Sequence, residues 1–154
     1  MKKGILAAAA LGATAAVLVL AGAGSASSTG RTLELVGVQQ QFLAPPAPHI
    51  GDHVLFSSAI YNRGAAFGKA AGARVGRATG VCTVTSDGKP PAVQCVFTAH
   101  VPDGQIVAMG EGDPGTDVNR WAIVGGIGAY ATARGTLVIT NVSETKSLVA
   151  VHLS

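Results

Sequence analysis

The chain has 154 residues, of which 48% are hydrophobic, 12% charged and 5% aromatic, with 21 Gly, 7 Pro and 2 Cys. High apolar content with a formal net charge of only +3 excludes a disordered chain, and abundant glycine with sparse charge excludes a coiled coil. One domain is the expected organisation at this length.

Met1 to about Ala26 reads as a secretory signal peptide. Lys2 and Lys3 form its basic start, Ile5 to Leu20 an almost unbroken apolar stretch, and small residues follow from Ala21 to Ser28. The alternative, a permanent membrane anchor, would need about 20 apolar residues and a basic stop-transfer flank, which this stretch lacks. Cleavage is expected near Ala23 or Ala26. No cysteine lies there to carry a lipid, so the mature chain is expected outside the cell or in its envelope, with no membrane partner. Loss of Lys2 and Lys3 leaves 9 basic against 8 acidic residues. The remaining basic residues are scattered, and Arg74 and Arg77 would face opposite sides of a strand, so no nucleic-acid footprint is present.

Gly or Pro interrupts nearly every window of the mature chain, and the runs between are rich in Val, Ile and Thr, which favours strands over helices. Eight strands are predicted: Arg31 to Phe42, Asp52 to Asn62, Ala73 to Thr85, Ala92 to Val101, Gln105 to Glu111, Arg120 to Gly125, Ala131 to Val142 and Lys146 to Leu153. Turn chemistry separates them at Ala44 to His49, Asp87 to Pro91, Pro102-Asp103-Gly104 and Asp113-Pro114-Gly115. Connections this short suit antiparallel neighbours. In the fourth strand Val93, Cys95, Phe97, Ala99 and Val101 share one face, which marks it as buried. Few aromatic residues and many small ones favour an all-β, eight-stranded antiparallel barrel over a sandwich, because closing eight strands leaves room for side chains or one small ligand and removes both edges.

Cys82 and Cys95 are equidistant from the centre of the Asp87 to Pro90 loop, so a regular hairpin sets them opposite each other. A non-hydrogen-bonded pair brings the Cα atoms to about 4.5 Å, within disulfide range. In an exported protein this spacing reads as a structural disulfide; free core thiols or a reactive thiol are the other states it allows. Gly126-Ile127-Gly128-Ala129-Tyr130-Ala131 matches a dinucleotide fingerprint literally, but Arg134 to Thr140 continues as strand where a nucleotide site needs a helix. The glycines are therefore expected to form a tight turn. His49, His53, His100 and His152 form no metal-ligand cluster, and no Gly-x-Ser-x-Gly nucleophile motif occurs. Neither a metal nor a cofactor is expected.

Several segments together resemble the dirigent and allene oxide cyclase superfamily. They are Gly51 to Ser57, Val75-Gly76 with Gly80 to Val84, Gln94-Cys95, Asp103 to Ile106 with Gly110, and above all Ala122 to Tyr130 followed by Ala133-Arg134-Gly135. The resemblance spans about Leu33 to Leu153. It implies an eight-stranded antiparallel barrel, dimeric or trimeric, whose apolar cavity holds a reactive ligand in one conformation. It also implies that Phe56 and Cys82 stand in the pocket and that Glu34 stands where the cyclases carry a pocket glutamate. Val36 and Ser58 replace polar residues of that pattern, and a Cys82 bonded to Cys95 cannot act as a free thiol.

The expected ligand-binding residues are Phe56, Ser58, Cys82, Phe97 and Tyr130, with Glu34 as the candidate catalytic group. The expected partner is a small hydrophobic molecule, and the expected activity is that of an isomerase or cyclase. The alternative is a non-catalytic ligand carrier or an envelope-associated structural module. An unpaired carboxylate inside the barrel would have to be neutral or hydrogen-bonded.

Overall fold

A computed structural model describes residues 30–154; the signal peptide expected at 1–26 lies outside the described residues. Eight strands follow in order: β1 (Arg31–Leu43), β2 (His53–Asn62), β3 (Arg74–Val84), β4 (Val93–Val101), β5 (Gly104–Gly112), β6 (Val118–Gly128), β7 (Gly135–Asn141) and β8 (Lys146–Leu153). Each is antiparallel to the next, and β8 returns to β1 with Leu33 opposite Val151, closing the barrel. Closure pairs the backbone of both would-be edge strands.

The β3–β4 hairpin has the expected register, with Cys82 opposite Cys95 and a disulfide between them at a Cα separation of 4.0 Å. The alternation read in β4 also holds: Val93, Cys95, Phe97, Ala99 and Val101 all face the interior.

One region differs from expectation. Gly125, Gly126 and Gly128 do not form a turn but continue β6, and the chain reverses only over residues 129–134, so β7 starts at Gly135 rather than Ala131. The reason is steric. The β5–β6 ladder shifts register between Val107 and Ala108, and beyond that shift the strands run so close that a Cβ on Gly126 would collide with the Gln105 carbonyl and one on Gly128 with the Asp103 carbonyl. Glycine permits this approach.

The two ends of the barrel are unlike. The start of β1, the end of β8 and the β2–β3, β4–β5 and β6–β7 connections gather at one end, where Leu33, Val75, Tyr130, Ala133 and Leu153 are buried in the core but do not line the interior space. Asn62 organises the β2–β3 connection there, its side-chain amide donating to the carbonyls of Ala66 and Lys69 at 2.7 and 2.8 Å. Tyr130, only 2% exposed, donates to the Pro102 carbonyl at 3.5 Å and ties two of these connections together.

Burial pushes the Tyr130 phenol above its ordinary value of 10.0; Arg31 opposes the shift and Asp103 adds to it. The folded state therefore holds this proton more tightly than the unfolded chain. The resulting stability is complete below pH 10.0 and is lost as pH rises through the elevated folded value. Thermal melts across the alkaline range are expected to fall in the native chain and to fall less in Tyr130→Phe.

Candidate functional site

The other end of the barrel is open. The β1–β2, β3–β4, β5–β6 and β7–β8 connections surround a mouth that leads into an interior chamber of about 870 Å³. Inward positions of the strands supply an apolar wall that includes Leu35, Val54, Ile60, Leu137, Ile139 and Val149. The interior is therefore an open, mainly apolar space rather than a core filled by side chains.

Three aromatic rings from alternate strands make one continuous stretch of this wall. Phe56 on β2 meets Phe97 on β4 with centroids 5.4 Å apart, and Phe97 meets Trp121 on β6 edge-to-face at 4.6 Å. Phe56 and Phe97 can touch because the residue between them in the interior row, on β3, is Gly80. A Cβ at that position would strike the Phe56 ring. The indole of Trp121 lies in the same way along Gly110 and Gly112 of β5.

Of the residues expected at the site, Phe56, Ser58, Cys82 and Phe97 line the chamber together, with the Cys82–Cys95 disulfide forming part of the wall. Tyr130 does not. It lies beyond β6, in the connection whose position the glycines had obscured, and seals the opposite end. Glu34 is exposed on the outer face of β1, between the buried Leu33 and Leu35, and opens onto a small surface depression with Arg31 and Gly64. The period-2 alternation of β1 sends Leu33, Leu35 and Gly37 inward, so the same strand cannot also send Glu34 there.

The chamber also contains residues that the sequence reading did not select. Trp121, Ala108 and Leu137 are buried in its wall, and Gln39, Asn119, Asn141 and Ser147 add polar groups. Alternation could have found Trp121, since it shares a face with Ile123 in the run Arg120 to Gly125. The ionisable side chains of the lining are Asp113, Asp117 and Glu144, all exposed on the connections around the mouth. Among the described residues, no group of three His, Cys, Asp or Glu side chains is placed to hold a metal ion.

A sequence profile described as dirigent-like protein matches residues 44–154. No curated protein matches the sequence. Among solved structures, a pyocyanin demethylase is 25% identical with a TM-score of 0.69, over 80% of this chain and 100% of that one. An exo-specific intermolecular Diels–Alderase is 15% identical with a TM-score of 0.63, over 80% and 96% of the two chains. A pterocarpan synthase dirigent protein is 20% identical with a TM-score of 0.57, over 81% and 84%.

Proposed function

Because this chain belongs to the dirigent-like family, we propose that its barrel takes a small hydrophobic molecule into the interior and steers its cyclisation or stereoselective coupling. The observation that carries this reading is the open apolar chamber of about 870 Å³, whose ionisable side chains stand only at the mouth. Such a chamber has no buried general acid or base. What it offers is shape: walls that hold a flexible reactant near one reactive geometry, for which correct orientation alone can supply much of the rate. Phe56, Phe97 and Trp121 give a stretch of aromatic wall for an unsaturated ligand, and the Ser58 hydroxyl is a polar group on that side of the wall. The structural neighbours include a Diels–Alderase and a dirigent protein, which supports the same class of task.

The site residues in this reading are Phe56, Ser58, Cys82, Phe97 and Trp121; Glu34 has no part in it. Secretion belongs to the proposal as well, since a structural disulfide persists in oxidising compartments outside the cytosol. So does a homodimer or homotrimer. Leu43, Leu55, Val81, Val96 and Met109 are exposed and stand opposite one another in register across five strands, forming an apolar row on the outer wall. A contiguous apolar strip of this kind marks an association surface. Sedimentation of Val96→Lys/Met109→Lys is expected to show a monomer where the native chain sediments as an oligomer.

Native mass spectrometry of the protein purified from its own producing culture tests the central reading, followed by chiral analysis of what the bound molecule becomes. The expected result is a retained small molecule whose conversion in the presence of the protein gives one stereoisomer in excess. Retention with no effect on product distribution would instead favour the carrier. Glu34→Gln is expected to leave both retention and conversion unchanged.

A further inference from the structure

We propose that the chamber holds its ligand by one uncharged oxygen, a carbonyl or hydroxyl oxygen bound between the Gln39 side-chain amide of β1 and the Ser58 hydroxyl of β2. The inference rests on the reading of the chamber as a ligand site and adds the functional group that sets how a ligand lies in it.

Gln39 and Ser58 are direct partners in the β1–β2 ladder, and both line the chamber. Residues directly opposite in an antiparallel pair have Cβ atoms about 4.5–5.5 Å apart, so both side chains can reach the same atom. The ladder shifts register just beyond them, between Gln39 and Gln41, and the same two residue types meet again on the outer face as Gln41 and Ser57. There the Ser57 hydroxyl donates to the Gln41 side-chain oxygen at 3.4 Å. Gln40 turns its amide back onto the Val38 and Gln39 carbonyls at 3.3 and 3.4 Å. The interior pair does neither. Both residues are half-buried and face the chamber, and among the described residues no protein group hydrogen-bonds the Gln39 amide or the Ser58 hydroxyl.

The other uncharged polar side chains of the lining serve the turns at the mouth. Ser147 donates to Asn141 at 2.9 Å, and Asn119 binds the Asp113 backbone at 2.7 and 3.0 Å. Gln39 and Ser58 brace nothing. Leu and Ala would suit an apolar wall that had only to pack, whereas polar groups without a protein partner suit a hydrogen bond from outside the chain. No Lys, Arg or His side chain lines the chamber, so a carboxylate or phosphate would enter without a counter-charge. Amide and hydroxyl together can give two donors to a carbonyl, or one donor and one acceptor to a hydroxyl. Ser58 stands two residues from Phe56 on the same face of β2, a rise of about 7 Å. The oxygen therefore belongs at the edge of an unsaturated body that lies on Phe56 and Phe97, which describes an uncharged unsaturated ketone or alcohol.

Equilibrium dialysis with four naphthalenes of nearly equal bulk tests this: 2-acetylnaphthalene, 1-(2-naphthyl)ethanol, 2-isopropylnaphthalene and 2-naphthoate. The native protein is expected to bind the first three, with the carboxylate weakest. Gln39→Leu/Ser58→Ala should weaken the ketone and the alcohol about tenfold, the loss of two net hydrogen bonds, while the hydrocarbon binds at least as tightly as before. Ser58→Ala alone, which removes a single hydroxyl, should weaken them about threefold. The carbonyl stretch of bound, carbonyl-13C-labelled 2-acetylnaphthalene should lie at lower frequency in the native protein than in the double variant. Unchanged ketone binding in both variants, or equal losses of ketone and hydrocarbon in both, would overturn the oxygen site while leaving the chamber a ligand site. Failure of all four probes to bind the native protein would overturn both.

Discussion

Replacing Ala78 and Ala99 together by Phe is expected to reduce ligand affinity at least about a hundredfold while the barrel remains folded. The two alanines face each other across β3 and β4, in the interior row that runs from Ser58 to Ile106. Both line the chamber, and neither is fully buried, because each looks onto open space. Overpacking a filled core costs about 1–3 kcal/mol through strain. Here the added rings enter a volume that already exists, so the melting temperature should hardly change. Calorimetric titration paired with thermal melts reads both quantities. Strong destabilisation would mean that the interior is already filled, whereas unchanged binding would place the ligand elsewhere.

Removing the Cys82–Cys95 bond by double substitution to Ala is expected to cost about 3 kcal/mol, the chain-entropy value for a loop of this length. At this domain size that corresponds to a fall in melting temperature of roughly 10 °C. The bond does more than shorten the unfolded chain. It joins β3 to β4 where both sulfurs lie in the chamber wall, one residue pair along the interior face from Gly80 and Phe97. Its loss should therefore also loosen the Phe56–Phe97 contact and weaken ligand binding several-fold. Reduction of the native protein should reproduce the shift in melting temperature, whereas a stability unchanged by either treatment would remove the bond from the account.

Much of this architecture was legible in the sequence for definite reasons. β4 alternates strictly between interior and exterior residues, and turn-forming Gly, Pro and Asp separate most of the strands, so both strand faces and hairpin register could be read locally. The disulfide followed from that register. The Gly125 to Gly128 segment misled because glycine serves two purposes: it makes turns, and it permits close approach of neighbouring strands. Which purpose applies depends on the Gln105 and Asp103 carbonyls of β5 and its flanking turn, about 20 residues away in sequence.

The same segment carried the error on Tyr130, whose side chain closes one end of the barrel instead of lining the chamber at the other. Glu34 was the opposite case. Its exterior position could be read from the apolar Leu33 and Leu35 on either side, but the resemblance drew attention to it as the one acid of the first strand. The aromatic wall was half legible: Phe56 and Phe97 were identified, and their contact across Gly80 appears only when three strands are set side by side.

The account depends on an interior that is open, apolar and able to accept a molecule. A crystal structure of the protein under xenon pressure measures this most directly, because xenon occupies apolar cavities without needing any specific recognition. The expected result is xenon density inside the barrel, between the Phe56–Phe97–Trp121 wall and the Leu137 and Ile139 side chains of β7. Continuous side-chain packing across that space, with no xenon bound, would contradict the account.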